Sequence, residues 1–429
     1  MGNEKPVSCR LLIVESTPDK YRFLETTRSD TKKERNSRFR SFMMDLTKCV
    51  LLLGTIFCFS THAFAAEQWI IPRIGLYGGY DDNLLYSQEE EHDKLDSYVF
   101  NVEPGLEYRF ESLLSELKIN AKWAILNYVN EDDFNRVNHD YWLIGNHDLG
   151  QRWNTRAEVR YIKDTTLNTY LEETGRVIDR IDRDYIDAKG GLSYAISTVS
   201  YIDTEYQYNR STYEDDLFPV TSSHWFHMYY QHHLGTQQDV LSIGPAYYHR
   251  KNDLNDADSY SLDFGWERKW SDITKSFASI GARYTQVEEK WGEKDGTWGA
   301  RGRLDLTHQG LISTLQLRYY HDLSTTAYGE NINVDNLYLN YSYQITQLFG
   351  AGIDSRVIIS YGIFNDEEDV DNSRYFEVQP YLFYRLSENF NMFLRYRYQH
   401  SSENLIDSED VRKRKSIWIE FTYYWPTML

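Results

Sequence analysis

A hydrophobic period of two runs through this chain from about residue 69 to its C-terminal end, and it limits the fold more than any other feature. From Tyr98 the sequence reads YVFNVEPGLEYRFE. Phe100, Val102, Pro104, Leu106, Tyr108 and Phe110 fall on one parity, and Asn101, Glu103, Gly105, Glu107, Arg109 and Glu111 on the other. Side chains of a β-strand alternate between faces, so this segment is a strand with one apolar and one polar face. Leu117, Ile119, Ala121, Trp123 and Ile125 repeat the pattern, as do Tyr260, Leu262, Phe264 and Trp266. Eighteen such segments begin near Trp69, Asp96, Leu114, Asp140, Asn154, Asp184, Val199, His224, Val240, Ser259, Ser276, Thr297, Leu311, Asp335, Ser355, Tyr375, Phe390 and Lys415. Lengths of roughly 10–15 residues suit tilted membrane strands.

The connections alternate in length. Short turns such as Phe110-Glu111-Ser112, Ser197-Thr198 and His308 to Gly310 interleave with long stretches. The long ones include Asp81 to Leu95, Thr165 to Arg183, Arg250 to Asp258, Thr325 to Val334 and His400 to Arg414. This predicts a closed antiparallel outer-membrane β-barrel of about 18 strands (16–18), with short periplasmic turns and long acidic extracellular loops. A soluble sandwich would also alternate, but its buried face could not carry charge in nearly every strand. The last strand, Ile417, Ile419, Phe421, Tyr423 and Trp425, resembles the terminal signal read by the barrel-assembly machinery. It departs from that signal in running on through Pro426-Thr427-Met428-Leu429.

Composition narrows the alternatives. Aromatics are 16% of the 429 residues, with 36 Tyr, too many for a disordered chain. An excess of 65 acidic over 46 basic side chains argues against nucleic acid as partner. A mean hydropathy of −0.63 and no 18-residue apolar run argue against membrane helices. The longest apolar run, Cys49 to Phe59, follows Lys48 and precedes Ala63-Phe64-Ala65, the pattern of a secretory signal peptide. The expected organisation is an over-called extension at 1–42 before Met43-Met44, a signal peptide at 43–65 and one barrel domain at 66–429; a long n-region is the alternative. Removing 11 basic and 7 acidic side chains leaves 35 and 58, a formal net charge of −23. Cys9, Cys49 and Cys58 all go with the signal, leaving no disulfide and no thiolate site.

The polar parity supplies the pore-lining candidates: Glu103, Glu107, Arg156, Arg160, Asp263, Glu267, Arg301, Arg303, Asp305, Arg318, Glu377, Arg385, Arg395 and Arg397, with Glu158, Asp203 and Glu205 beside them. They suit either cross-strand pairing that stiffens a wet lumen or rings of charge that select the permeant's sign. Runs such as Arg395/Arg397 would attract anions, and acidic loops would oppose that. Tyr229, Tyr247, Trp266, Trp270, Tyr284, Trp298, Tyr341, Tyr343, Tyr396 and Trp425 are assigned to an outward aromatic girdle. Tyr320, Phe383 and Phe393 fall on the polar parity and could touch sugar rings or merely pack against neighbours.

Acidic runs at Glu89-Glu90-Glu91, Glu131-Asp132-Asp133, Glu214-Asp215-Asp216 and Asp366 to Asp371 read as solvated loops, with cation-bridged contact to lipopolysaccharide as an alternative. The Asp366 run lacks the glycine and glutamate of an EF-hand. His224 and His227 sit on opposite strand faces, so no shared metal is expected. No hydrolase or nucleotide motif occurs, so no catalytic residues and no cofactor are expected.

The first strand ends in Gly78-Gly79-Tyr80-Asp81-Asp82-Asn83-Leu84. This Tyr80-Asp81-Asp82-Asn83 ending resembles the β-barrel porin family associated with exopolysaccharide gene clusters. The resemblance implies a single-domain barrel, with a secreted polysaccharide as passenger and periplasmic export proteins as partners beside the outer-membrane lipid. It carries over no catalytic residue. Two functions stay open: a channel or glycan exit conduit, and a non-conducting structural barrel of a surface export or electron-transfer complex.

Overall fold

The computed structural model describes residues 66–428, apart from 89–93, 130, 177–179, 216, 236–237, 291, 293, 364–371 and 406–407. The 43–65 signal, the three cysteines, Glu89-Glu90-Glu91, Asp216 and the Asp366 to Asp371 run lie outside the described residues.

Eighteen long strands follow in order: β1 (Glu67–Asp81), β2 (Ser97–Glu111), β3 (Ser115–Tyr128), β4 (Arg136–Asp148), β5 (Trp153–Thr165), β6 (Asp182–Ala195), β7 (Ser200–Tyr213), β8 (Thr221–Leu234) and β9 (Asp239–Lys251), then β10 (Asn255–Ser271), β11 (Thr274–Glu289), β12 (Lys294–Gln309), β13 (Ser313–Thr325), β14 (Asn331–Gln344), β15 (Phe349–Gly362), β16 (Ser373–Ser387), β17 (Phe390–Leu405) and β18 (Ser408–Tyr424). Each pairs antiparallel with the next, and β1 pairs with β18 from Arg73↔Tyr424 to Asp81↔Ser416. The sheet is therefore a closed barrel, which leaves no long edge unpaired. Beyond Pro426 the chain returns to β1 as a short β19 (Thr427–Met428), with Thr427 opposite Ile70 and Met428 opposite Trp69. The residues after Trp425 thus extend the seam. Both described ends of the barrel lie at the end carrying the short turns, here the turn end; the other is the loop end.

Register fixes the two faces. Glu103 lies opposite Gly75, Glu107 opposite Asn120 and Arg160 opposite Asp187, so the charged parity stays on one face around the ring. The other face is apolar and open: Ile280 is 70% and Trp298 75% exposed, and Phe100, Phe264, Leu304 and Leu394 stand out beside them. Leu167 and Leu171, which follow β5, are buried against Ile332, Ile358 and Tyr375 on the charged parity of β14 to β16, far round the ring, so the charged face is the interior.

Several strands run further than expected. β15 and β18 start at Phe349 and Ser408, ahead of Ser355 and Lys415. The long connections predicted at His400 to Arg414 and Arg250 to Asp258 are mostly strand, with β17 reaching Leu405 and β9 reaching Lys251. Polar residues keep the ladder there because hydrogen-bonded pairing does not require an apolar face. The lengths of 13–17 residues accordingly exceed a bilayer-spanning strand.

Candidate functional site: the barrel lumen

All fourteen charged candidates occupy the inward parity, and most meet an opposite charge on a neighbouring strand. Arg156 binds both carboxylate oxygens of Asp203, at 2.7 and 2.9 Å, and donates to Glu205 at 3.1 Å. Arg160 grips Asp140 through two bonds of 3.0 and 2.9 Å. Arg301 links Asp263 at 2.8 Å to Asp322 at 2.7 Å, and Arg283 meets Asp322 at 3.1 Å. Asp305 receives Arg303 and Arg318. Lys122 lies 2.7 Å from Glu103, as the sequence suggests, whereas Glu107 pairs with Arg109 on its own strand at 2.8 Å. Arg395 meets Glu420 at 3.3 Å, and Arg397 lies 3.8 Å from Glu377. Neither is therefore a bare anion attractor. Among the described residues Glu267 and Arg385 stand without an ion pair. Such partly wet pairs contribute little each; as a continuous network they hold the inner wall near neutrality.

The loop end is different, and the sequence reading missed it. Residues expected to form a loop between Thr165 and Arg183 contain a helix, α1 (Thr166–Thr174), folded into the barrel. Leu167, Tyr170, Leu171 and Thr174 share one helical face, and all are buried. Gly175 ends the helix in the left-handed conformation at φ 73°, with its N–H on Leu171 O at 3.1 Å. A side chain at Gly175 would also press on Tyr375 and Ile358. Leu167 and Leu171 pack with Ile332 and Val334 on β14, Ile358 on β15 and Tyr375 on β16. β15 stands about halfway round the ring from β5 and β6, so α1 crosses the lumen. Its far end is fastened by Arg356 Nη1 to Glu172 O at 3.1 Å and by Ser373 Oγ to Gly175 O at 2.8 Å.

Two other connections turn inward to meet it. Pairing of β13 with β12 stops at Gly302↔His321, although both strands run on. The 326–330 connection leans in, where Gly329 O accepts from Arg250 at 2.5 Å and Asn252 at 3.0 Å. Ala327 packs with Tyr170, Tyr213 and Phe218, and Tyr328 stacks on Phe218 at 5.0 Å. The segment after β1 supplies Tyr86, fully buried at φ 57° against Leu167, Leu171 and Tyr375. Burial pushes the Tyr86 and Tyr170 phenols above their ordinary values, so both stay neutral. Burial likewise pulls Arg180 down from its usual range, beside the rings of Tyr128 and Phe134.

The Tyr80–Asn83 motif holds this corner. Asp81 takes Arg414 of β18 through bonds of 2.9 and 2.6 Å to Oδ2, tying the seam from within. Asp82 accepts the Lys415 N–H at 2.6 Å. Asn83 donates to Ser87 O at 3.0 Å and Lys413 O at 2.9 Å, which turns the chain toward Tyr86. Tyr80 points outward and donates to Asp96 at 2.9 Å.

One girdle assignment fails. Tyr229 faces inward and donates to Asp263 at 3.1 Å, because β8 pairs Asp203 with Tyr229. Tyr247 and Tyr260 face outward together, as do Tyr284 and Trp298. His224 is outward beside Tyr206, whereas His227 is inward, 3.8 Å from Glu205. Tyr320, Phe383 and Phe393 are inward. Missed by parity alone, α1 carried its own signal: apolar residues at Leu167, Tyr170 and Leu171 follow a helical spacing and end at Gly175.

No family model matches the sequence, and no curated protein matches it. Solved outer-membrane proteins are similar in structure. OccK2 of Pseudomonas aeruginosa, solved in complex with glucuronate, aligns over 85% of this chain and 98% of its own at 11% identity and a TM-score of 0.42. The FrpB iron transporter of Neisseria meningitidis aligns over 82% and 81% at 8% identity and 0.44. OccAB4 of Acinetobacter baumannii aligns over 85% and 100% at 10% identity and 0.42.

Proposed function

We propose that this chain is an outer-membrane channel whose lumen is constricted at the loop end by α1. The carrying observation is the division of the two barrel faces. A continuous belt of exposed Ile, Leu, Phe and Trp cannot face water over the whole circumference of a monomer, whereas it matches the hydrocarbon of a bilayer. The inner face, lined with ion pairs, matches water, and eighteen strands enclose room for a polar permeant. The fourteen charged candidates then act as the lining field, near neutral in sum and patterned in space. The finer reading, an exit conduit for a secreted polysaccharide, is supported by the likeness of Tyr80-Asp81-Asp82-Asn83 to exopolysaccharide-associated porins.

The helix also favours a second reading. A lumen crossed by α1, whose Leu167, Tyr170 and Leu171 are all buried, suits a structural barrel that does not conduct. Planar-bilayer recording of the purified protein separates the two. A steady open current supports the channel; a silent barrel that co-purifies with periplasmic proteins supports the scaffold.

A further inference from the structure

Three inward rings in the turn-end half of the lumen form a patch that the ion-pair network does not explain. The centroids of Tyr381, Phe383 and Phe393 lie 6.4, 6.4 and 6.2 Å apart. In register, Tyr381 sits beside Gly352 and Phe383 beside Gly350 of β15. A Cβ at either glycine would overlap the neighbouring ring, so both rings lean along the wall where a side chain would otherwise stand. All three are only half-buried. Polar groups border them at fixed positions. The Arg395 guanidinium lies 5.0 Å from the Tyr381 centroid and 4.6 Å from that of Phe393, held by Glu420 at 3.3 Å and Asp354 at 3.9 Å. Arg397 stands 5.0 Å from the Trp418 ring on the same wall.

We propose that this strip is a binding subsite for a neutral, extended saccharide chain that enters from the turn end. The inference rests on the channel reading and names its passenger. A pyranose ring offers a C–H face with a rim of hydroxyls. Leaning rings supply plates for the face, and guanidinium–carboxylate pairs supply donors and acceptors for the rim. Arg385, Arg395 and Arg397 are balanced by Asp354, Glu377 and Glu420, so the strip offers no net field to an acidic sugar. A purely apolar solute would leave those polar groups without water or a partner. α1 crosses the opposite end, which leaves the turn end as the approach.

The test is single-channel recording of the full-length protein with cellohexaose added to each side in turn, and with an oligoglucuronate of equal length. The expected result is transient current blockade by cellohexaose, stronger from the turn-end side. Affinity should fall about tenfold in Tyr381→Ala and Phe383→Ala, comparable to the loss of one stacked ring, and should be retained in Tyr381→Phe. Heat-modifiable gel migration checks that each variant is folded. A conducting channel that cellohexaose never blocks overturns the subsite and leaves the channel reading intact. Blockade by oligoglucuronate alone, or equal blockade in both alanine variants, also overturns it. If the barrel is silent, the channel reading fails, and a cellohexaose titration of tryptophan fluorescence near Trp418 decides the subsite by itself.

Discussion

At the loop end, the barrel interior holds Tyr86, Leu167, Leu171, Ile332, Val334, Ile358 and Tyr375, packed as in a soluble protein. Toward the turn end, the flanking strands β12, β13, β17 and β18 carry Asp305, Arg318, Arg395 and Glu420 into a wet lumen. The wall is continuous, yet one end is organised by apolar burial and the other by charge pairing. The difference comes from chain that leaves the wall. Only the loop-end connections are long enough to re-enter the barrel, and α1 brings with it the apolar face that β14 to β16 need to cover. At the turn end, connections such as Ser112 to Leu114 are too short to reach inward. The inner face there stays solvated and must be polar.

This contrast can be broken most severely by replacing residues 166–174 with a short Gly-Ser linker. Conductance in planar bilayers is then expected to rise several-fold; an unchanged current would mean that α1 does not set the constriction. A local break should follow from Leu171→Ala, which removes a fully buried side chain. A loss of about 3 kcal/mol is expected, seen as faster protease cleavage within 166–174 while heat-modifiable migration of the barrel is kept.

At the wet end the sign of charge is the readout. Arg156→Ala leaves Asp203 and Glu205 facing the lumen unpaired, and the reversal potential in a salt gradient should move toward cation preference. Asp203→Asn with Glu205→Gln should move it the other way. At the seam, Asp81→Asn weakens the Arg414 bonds and should lower the urea midpoint of unfolding by an amount worth about 1–3 kcal/mol. The smallest effect is expected at the exposed turn-end pair Lys269–Asp272, where Asp272→Ala should change stability by less than about 0.5 kcal/mol.

Much of the barrel was readable because a strand writes its two faces into alternate residues. That rule placed Arg156, Arg301, Arg395 and their neighbours on one face, and Leu262, Phe264 and Trp298 on the other. It failed at Tyr229, because Tyr can serve either face and only its pairing with Asp203 decides. It also started β15 and β18 too late, since the glycines between Phe349 and Asp354 and the polar run from Ser408 to Arg414 extend a ladder without leaving an alternating hydrophobic trace. The charge partners were harder still. Glu103 with Lys122 could be anticipated from adjacent strands, but the joining of Arg301 to Asp263 reaches across β11 at Gly281, where a side chain would block it.

Alone, the sequence determined a strand count of about 18, the closure implied by an even set of alternating hairpins, and the polarity of each face. These are local properties: the period of two and the length of each connection suffice to set them. Only the tertiary structure decided what fills the cylinder. The contact of Leu171 with Ile358 joins residues on opposite sides of the ring. No local pattern encodes that distance, because it exists only after the eighteen strands have closed.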